Sequence, residues 1–397
     1  MNSNYGHNIN FTLFGESHGK AIGITINNLP ANFEIDFNII DNDLILRQGN
    51  AAFNTKRQEN VEYDIVSGFF KKKTTGQPMT VLFHNKDMIE DDYFPFLKQP
   101  RPGHADIVAA KKYQEANDFR GGGHFSGRMT TPIVFLGSII KQIMQELFSE
   151  MKIVSHIKRL GIHHDISYYD YRKEVVDKRL STLDKLEELN TSSLAMLALD
   201  INLKLHAKLT NSIKDVNFPT FSKEAYDVML NEAKGLKCDT LGGLIETIII
   251  NPPSWIGEPF FYSVESVLSS LLYSIPSVKG VRFGSIEGNS HYLGSELKDE
   301  IIFANTHKVT TLMNHNGGIN GGITNGEDIV FSTIIKPIAS IMGEQKTFNL
   351  ETKTIESLII EGRHDKTIIN RIIPVIDAMS YITLYDLYLE NKKNTLF

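Results

Sequence analysis

The hydrophobic pattern of the chain has two periods, and each predicts its own kind of element. Residues 21–28 alternate between apolar and polar positions and are rich in β-branched side chains, which predicts a strand. Similar patterns predict strands over 63–70, 79–84, 243–250 and 328–336. Helical spacing of apolar residues predicts helices over 105–117, from about 128 to 147 and over 374–391, and the composition of 183–236 predicts two or three more.

The order of these elements bears on the fold class. Strands and helices are interspersed without a steady β-α-β repeat, which favours a mixed α/β sandwich over a doubly wound Rossmann sheet. No low-complexity segment, Pro/Gly/Ser-rich linker or obvious repeat interrupts the 397 residues. We therefore predict one integrated domain over residues 1–397.

Composition and charge exclude several classes of protein. With 41% hydrophobic and 22% charged residues, the chain has an ordinary globular composition. Its 41 basic and 47 acidic residues give a net charge of -6, and an anionic surface repels a nucleic-acid backbone. The one cysteine, Cys238, can form no intramolecular disulfide, which favours a reducing compartment. No signal peptide and no apolar stretch of about 18 residues is evident, so we expect a cytoplasmic protein without a membrane or nucleic-acid partner.

The first motif with candidate chemistry is FGESHGKAIG, residues 14–23. Its G-x-S-x-G core matches the nucleophile elbow of serine hydrolases, but that motif needs a helix after it, and a strand is predicted here. A hydrogen-bonded turn with a surface histidine is the simpler interpretation. Flanking glycines also suit a close approach of Ser17 and His18 to a ligand. His18 could then act as a general acid near neutral pH.

Two further motifs combine arginine, histidine and glycine. RPGHAD places Arg101 and His104 at a rigid turn before a predicted helix, where anions are favoured, although a plain N-terminal turn is the alternative. RGGGHFSGR, residues 120–128, joins three glycines to two arginines. Exposed backbone N–H groups and forked guanidinium donors favour a cradle for phosphate or carboxylate. The alternative is a flexible loop with solvated arginines.

The C-terminal half contains two more candidate segments. The run NHNGGINGGITNGED, residues 314–328, has many glycines and favours a backbone-lined pocket for a flat ligand over a surface loop. KPIAS follows the next predicted strand. Arg363, His364 and Asp365 are consecutive in EGRHD. They indicate either a weak surface salt-bridge cluster or an anion-binding arginine beside an aspartate for proton transfer.

Taken together and in this order, these segments resemble chorismate synthase. The resemblance covers nearly the whole chain and is weakest over about 150–235. It also includes DLILRQG, SGFFKKKTTGQP, SIPSVKGVRFG and the T-x-R-x-E residues Thr55, Arg57 and Glu59. The combination is far more specific than any one motif.

The resemblance implies a single-domain β-α-β sandwich and a homotetramer. It implies a flavoprotein, of the broad group that uses FMN or FAD, with reduced FMN as the obligatory cofactor and NADPH as an optional reductant. The substrate would be 5-enolpyruvylshikimate 3-phosphate. An anti 1,4-elimination of phosphate, with loss of a ring proton, would give chorismate, the last common step towards the aromatic amino acids.

The resemblance also assigns roles to matching residues. His18 would be the general acid that helps the phosphate leave, and His104 would protonate the flavin. Asp365, with Ser17, would help to move the proton at flavin N5. The anions of substrate and flavin would be bound by Arg47, Arg101, Arg128 and Arg363. Flavin contacts would come from His124, Phe125, Ser126, Pro276, Ser277, Gly321, Lys336, Pro337, Ile338, Ala339, Ser340 and Arg363.

Three segments depart from the family pattern. HFSGR stands where the family has Arg-Ser-Ser-Ala-Arg, and KPIAS lacks the hydroxyl groups of Lys-Pro-Thr-Ser-Ser. The LRQG segment keeps only Arg47 of a run of adjacent arginines, and a further arginine is replaced by Ala52. In the family these basic positions are associated with NADPH. Their loss therefore favours an external flavin reductase as a partner, with Arg47 as the remaining NADPH-associated position.

Two other classes stay open from the sequence. A serine hydrolase would use Ser17, His18 or His364, and Asp365. Such an enzyme would react with a fluorophosphonate without binding flavin. A non-catalytic flavin-binding protein would bind flavin without turnover, although simple binding does not require two positioned histidines.

Overall fold

The computed structural model describes residues 3–49, 54, 62–85, 93–182, 190–286, 292–304, 308–360 and 364–394. Its strands are β1 (Asn4–Tyr5), β2 (Asn10–Gly15), β3 (Ala21–Asn27), β4 (Tyr63–Ser67), β5 (Phe69–Phe70), β6 (Lys73–Thr74), β7 (Met79–His84), β8 (Lys152–Leu160), β9 (His163–His164), β10 (Gly243–Ile250), β11 (Val278–Phe283), β12 (Ile301–Ala304), β13 (Val309–Thr311), β14 (Ile319–Asn320), β15 (Ile323–Thr324), β16 (Ile329–Ile335), β17 (Gln345–Phe348) and β18 (Ile355–Leu358). Its α-helices are α1 (Phe37–Gln48), α2 (Pro95–Lys98), α3 (Asp106–Lys112), α4 (Thr131–Leu147), α5 (Tyr168–Leu180), α6 (Thr191–Ser212), α7 (Lys223–Gly235), α8 (Val264–Ser274) and α9 (Ile369–Asn394).

Two five-stranded antiparallel sheets form the outer layers. The first has the strand order β1-β2-β3-β7-β4, and the second has the order β11-β16-β10-β8-β9. Strand β10 lies between β16 and β8 and is buried at every position. A strand that is covered on both faces needs no alternation of polar residues, which explains the run GLIETIII.

A layer of helices separates the two sheets. Helix α4 packs on β3 of the first sheet, α9 packs on β8 and β10 of the second, and both helices pack against each other and against α1. One hydrophobic cluster runs through all three layers, from Ile22 and Val81 through Ile139 and Ile376 to Ile245. This arrangement confirms the predicted mixed α/β class and the β-α-β sandwich.

Short polar signals fix where the helices begin. Ser167 caps α5 in a capping box with Asp170, and Ser222 and Ser263 cap α7 and α8 by accepting from backbone N–H groups. Pro132 lies in the first turn of α4, where its missing N–H has no helical partner to lose. These helices therefore have their N-termini satisfied by local sequence.

Helix α9 departs from the expectation that no segment reaches the length of a membrane span. Over Ile369–Lys393 it is long and apolar enough to cross a membrane by length and composition alone. In the fold, however, 78% of its most apolar window is buried inside the protein. Polar residues such as Arg371 and Asp377 interrupt the apolar run in the sequence, so no unbroken apolar stretch of that length is visible there. The helix nevertheless continues through these residues. It packs as the central core helix of the sandwich.

Most predicted elements are confirmed, and two need shorter bounds. The helix predicted over 105–117 ends at Lys112, because Gln114 and Glu115 adopt positive φ of 52° and 65°. The strand predicted over 63–70 stops at Ser67, because Gly68 turns the chain with a φ of 80°. In the described part of 183–236, the predicted helices correspond to α6 and α7.

A buried arginine organises the glycine-rich run 314–328. The guanidinium of Arg172, with no exposed surface, donates to the carbonyl oxygens of Thr311 and Leu312 and to the carboxylate of Glu327. Asn314 continues this network by donating to the carbonyl oxygen of Asp328 at 2.8 Å. This part of the run is therefore held by its own scaffold, and the backbone-lined pocket for a flat ligand stays a prediction.

Candidate active site

The 15–19 turn joins β2 to β3, so a strand follows the G-x-S-x-G motif where a nucleophile elbow has a helix. The turn therefore lacks the structural context that a serine hydrolase requires. Ser17 and His18 are both buried. The backbone N–H of Ser17 donates to the carbonyl oxygen of Gly123 at 3.2 Å. This hydrogen bond attaches the turn to the glycine run of RGGGHFSGR.

The glycine run makes room for the two histidines. Gly121, Gly122 and Gly123 adopt positive φ of 56°, 81° and 52°. A Cβ atom at Gly121 would lie 2.0 Å from Nδ1 and Cε1 of His18, so any side chain there would displace the imidazole. A Cβ atom at Gly122 would lie 3.6 Å from Cε1 of His104. The fold thus brings His18 and His104 against consecutive glycines, although they are far apart in sequence.

Asp106 holds His104 and Arg101 together. Its Oδ1 lies 2.5 Å from Nδ1 of His104, and its two oxygens lie 2.8 Å from Nη2 and Nε of Arg101. Burial acts to raise the pKa of Asp106, but the hydrogen bonds from Arg101 and His104 outweigh burial and hold that pKa well below its usual range. Nδ1 of His104 also lies 2.9 Å from Nη2 of Arg101, which can only donate a hydrogen bond. The contact with the carboxylate, which can only accept, is shorter at 2.5 Å, so we assign a proton to Nδ1, and Nε2 is left on the side of the glycine run.

The KPIAS segment closes this cluster from the second sheet. Ser340 accepts from Nη1 of Arg101 at 3.1 Å, and Nζ of Lys336 donates to the carbonyl oxygen of Gly103 at 2.8 Å. The backbone N–H of Lys336 donates to the backbone carbonyl oxygen of Ser277 at 2.9 Å. This bond ties the turn after α8 to the segment. The neighbouring predicted flavin residues lie on these same segments: Pro276, Pro337, Ile338 and Ala339.

Asn85 connects Arg128 to the turn that contains Ser17. Its Oδ1 accepts from Nε of Arg128 at 3.3 Å, and its Nδ2 donates to the carbonyl oxygens of Glu16 and Gly19 at 3.1 and 2.8 Å. Ser126 accepts from the backbone N–H of Arg128 and so begins the short 3-10 helix that follows. Arg128 is therefore fixed between the glycine run and the turn.

Arg47 and Asp365 lie together near the C-terminus of α1 and the N-terminus of α9. Arg47 is buried and donates to Oγ1 of Thr130 at 3.1 Å and to the carbonyl oxygen of Gly127 at 2.6 Å. Asp365 accepts from Nη1 of Arg371 at 2.7 Å, and Nε of Arg371 donates to the carbonyl oxygen of Arg47 at 3.4 Å. Several predicted positions lie outside the described residues, namely Arg363, Ala52, Thr55, Arg57 and Glu59.

The other predicted flavin residues differ in their surroundings. His124 lies within 3.0 Å of the carbonyl oxygen of Gly15 and so supports the end of β2, whereas Phe125 is 40% exposed. Gly321 lies in the turn between β14 and β15, and this hairpin packs on residues 257–264. The contacts of Gly322 in this hairpin are with Gly257, Glu258, Ser263 and Val264, in a part of the chain away from the His18 and His104 motifs.

The cluster combines donors for anions with open backbone. A Cβ atom at Gly127 would meet no atom within 4 Å, so space is available beside Arg128. Arg101 is already paired with Asp106, which limits how much of its charge is left for a ligand. The open space beside Gly127, the guanidinium groups and the two imidazoles suit a flat anionic cofactor and a phosphate ester. Within the described ranges, no group of three or more His, Cys, Asp or Glu residues could hold a metal ion.

Three residues that position the site were missed in the sequence analysis. Asp106 lies inside RPGHAD, and its spacing of two residues from His104 is a signal that could have identified it. Asn85 and Arg371 lie outside every motif. Only the fold places Asn85 on the 15–19 turn and Arg371 on Asp365.

Two imidazoles, guanidinium groups and a glycine run in one cluster suit an enzyme that acts on an anionic small molecule. The chain matches the chorismate synthase family model over residues 9–389. It is 36% identical over 388 residues to chorismate synthase of Methanocaldococcus jannaschii, covering 97% of this chain and 96% of that protein. It is 35% identical over 390 residues to chorismate synthase of Prochlorococcus marinus strain NATL1A, covering 97% of each.

A crystal structure of chorismate synthase has the same fold, with a TM-score of 0.63 and 23% sequence identity over 98% of this chain and 93% of that one. The chain belongs to the chorismate synthase family. Its members are carbon–oxygen lyases that eliminate phosphate from a small-molecule ester, and the family generally uses a reduced flavin.

Proposed function

We propose that this chain converts 5-enolpyruvylshikimate 3-phosphate to chorismate at the cluster built around His18, His104 and the glycine run. The observation that carries the assignment to this cluster is the meeting of both histidines at Gly121 and Gly122. A serine hydrolase would need a helix after Ser17, and β3 follows instead. A purely structural role does not require two imidazoles to converge on open backbone.

His18 is the proposed general acid for the departing phosphate. A phosphate that leaves gains negative charge, so a proton donor and cations beside it lower the barrier. The ring of His18 is buried and lies edge-on to Tyr93, with centroids 4.9 Å apart, so its position is restricted. Arg128 and Arg47 supply donors for the substrate anions, and a charge-assisted hydrogen bond contributes roughly 1.5–3 kcal/mol.

His104 and Asp365 are the proposed proton carriers on the cofactor side. Reduced FMN, when bound, supplies an electron-rich ring that assists the loss of phosphate. His104, fixed by Asp106, would hold a proton at Nε2. Asp365, held by Arg371, would move the proton at flavin N5 together with Ser17. The proposed flavin-binding residues are His124, Phe125, Ser126, Pro276, Ser277, Gly321, the KPIAS segment and Arg363.

Replacement of Asp106 by Asn tests whether this carboxylate positions His104. We expect kcat to fall about 10- to 100-fold, the range typical of lost supporting partners, because the amide can present its N–H to Nδ1 and no longer selects the tautomer. The alkaline limb of the pH–kcat profile should also move to lower pH, because a proton donor works only while it is protonated and the carboxylate that favours the protonated imidazole is gone. Asp64→Asn, which removes an exposed carboxylate paired with His84 at 2.8 Å, is the matched control. A fall in kcat with an unchanged pH profile would indicate a merely structural role.

Complementation tests the proposed function in cells. We expect the gene for this chain to restore growth, without added aromatic amino acids, to a bacterial strain that lacks chorismate synthase. A variant with His18→Ala should fail, whereas His164→Ala, an exposed position on β9, should succeed. Soluble wild-type protein that restores no growth even with a co-expressed flavin reductase would contradict the proposal.

We further infer that the enzyme takes its flavin already reduced, from an external reductase, as a cytoplasmic homotetramer. The external reductase is supported by LRQG and Ala52, which stand where the family has further arginines that it associates with NADPH. We expect turnover with dithionite-reduced FMN and at least about 100-fold slower turnover with NADPH and oxidised FMN. A 100-fold loss corresponds to roughly 2.7 kcal/mol of interaction between NADPH and the arginines that this chain lacks. Equal rates with both reductants would overturn this inference.

A further inference from the structure

A cavity separate from the candidate active site lies between the central helices and the second sheet. It has a volume of about 390 Å³ and is lined by one face of α9, by α4 and the end of α1, by β8 and by the segment after α6. That volume is within the range of small-molecule sites. None of the residues that line it belongs to the histidine cluster.

The wall of this cavity contains a carboxyl group that lacks a cation of its own. Oδ1 of Asp377 accepts from Oγ of Ser155 at 2.5 Å, and burial is the first cause that raises the pKa of Asp377 to about 7. The nearest cation, Lys141, is held at 3.0 Å by both oxygens of Asp43. Asp377 is partly buried, and a carboxyl group in such surroundings is costly to ionise unless a cation pairs with it.

The remaining wall adds hydrogen-bond acceptors and apolar surface. Pro374 has no N–H to donate to the carbonyl oxygen of Asn370 one turn earlier, and both residues line the cavity. Ile153, Ile213 and Tyr381 supply apolar walls around these groups. A primary ammonium has three N–H donors and no acceptor, so it can donate to the carboxylate of Asp377 and to hydroxyl oxygens in the lining, such as that of Ser155.

We propose that this cavity is a binding site for a small organic cation, a primary ammonium attached to an apolar body, with Asp377 as its counter-ion. The cation binds only the ionised form of Asp377. Below neutral pH, binding is therefore accompanied by the release of one proton from that carboxyl group. The other charged or titratable groups that face Asp377 are Asp43, Lys141, Lys152 and Tyr381. Asp43 and Lys141 pair with each other and Lys152 is exposed to solvent, so Asp377 is the group that selects the charge of the ligand.

Calorimetric titration of the full-length protein with benzylamine tests this proposal, with benzyl alcohol as the neutral probe of similar shape. We expect saturable binding of the amine at pH 8 and about ten-fold weaker binding at pH 6, because the carboxyl must then give up its proton. Asp377→Asn should weaken binding at pH 8 at least ten-fold and remove its pH dependence. The surface variant Asp200→Asn should bind like wild type.

A second variant keeps the test independent of how Asp377→Asn folds. Val216 lines the cavity yet is 64% exposed, so Val216→Trp adds bulk at the entrance without disturbing the core, and it should abolish binding. No saturable binding by wild type would overturn the proposal. So would benzyl alcohol binding as tightly as benzylamine, or undiminished binding by both variants. Loss of binding in either variant with chorismate formation intact separates this site from the proposed active site.

Discussion

His18→Ala is expected to lower kcat for phosphate elimination by about 10²- to 10⁴-fold, the usual contribution of a positioned general acid. The physical reason is that the phosphate would then have to leave as a more highly charged anion without a proton donor beside it. Because the imidazole fits between Gly121 and Tyr93, its removal leaves a small space and moves no backbone hydrogen bond. The protein should therefore fold normally and still bind the substrate.

Anaerobic steady-state kinetics with reduced FMN would measure this effect, with phosphate and chorismate followed together. His164→Ala controls for the loss of a histidine elsewhere, since its side chain is exposed. Gly121→Ala provides an independent check, because its new Cβ would fall 2.0 Å from the imidazole and displace it. A His18→Ala variant that keeps more than about a third of wild-type kcat would have lost less activity than the removal of a positioned general acid causes. That result would show that His18 is not the general acid.

Arg172→Met is expected to be the most destabilising single change, lowering the free energy of unfolding by about 3–5 kcal/mol. Arg172 has no exposed surface and satisfies Tyr168, Thr311, Leu312 and Glu327 through its donors. Burial already raises the pKa of Glu327. Without the guanidinium, that carboxyl would keep its hydrogen bonds from Thr311 but lose its counter-ion, and the carbonyl oxygens of Thr311 and Leu312 would lose a donor.

Urea denaturation followed by circular dichroism would measure the loss. Arg179→Met, on the same helix but half-exposed beside Asp200, should change stability by less than about 0.5 kcal/mol. Adding Glu327→Gln to Arg172→Met should recover part of the loss, because it removes the buried charge. Equal stability of the Arg172 and Arg179 variants would contradict the role of Arg172 as the anchor of the glycine-rich run.

The sequence predicted the parts of the fold in which a local pattern coincides with tertiary burial. The strands β3, β7, β10 and β16 have alternating or unbroken apolar runs, and each lies in the interior of its sheet. Helix α1 was not predicted, because its apolar residues are spread around the helix, with Ile45 exposed and Leu44 buried. Helix α5 was not predicted, because its apolar positions are sparse. In α5 the buried face includes Arg172 and two tyrosines, which no apolar period would identify.

In the site, too, local motifs predicted some features, whereas others depend on tertiary contacts. Local motifs identified His18, His104 and the glycine run, because their residue types are unusual at that spacing. Their convergence could not be read from the sequence, since it depends on the hydrogen bond from Ser17 to Gly123 and on the glycine conformations. The number of domains, the tetramer and the roles of the individual site residues stay predictions.

The most direct test of the central claim is an anaerobic assay of the wild-type protein with dithionite-reduced FMN and 5-enolpyruvylshikimate 3-phosphate. Phosphate release and the absorbance of chorismate would be followed in the same sample. We expect the two products to form in equal amounts and only when reduced flavin is present. Flavin binding without formation of either product would contradict the assignment of this reaction to the chain, and the HFSGR segment would be the first place to seek the cause.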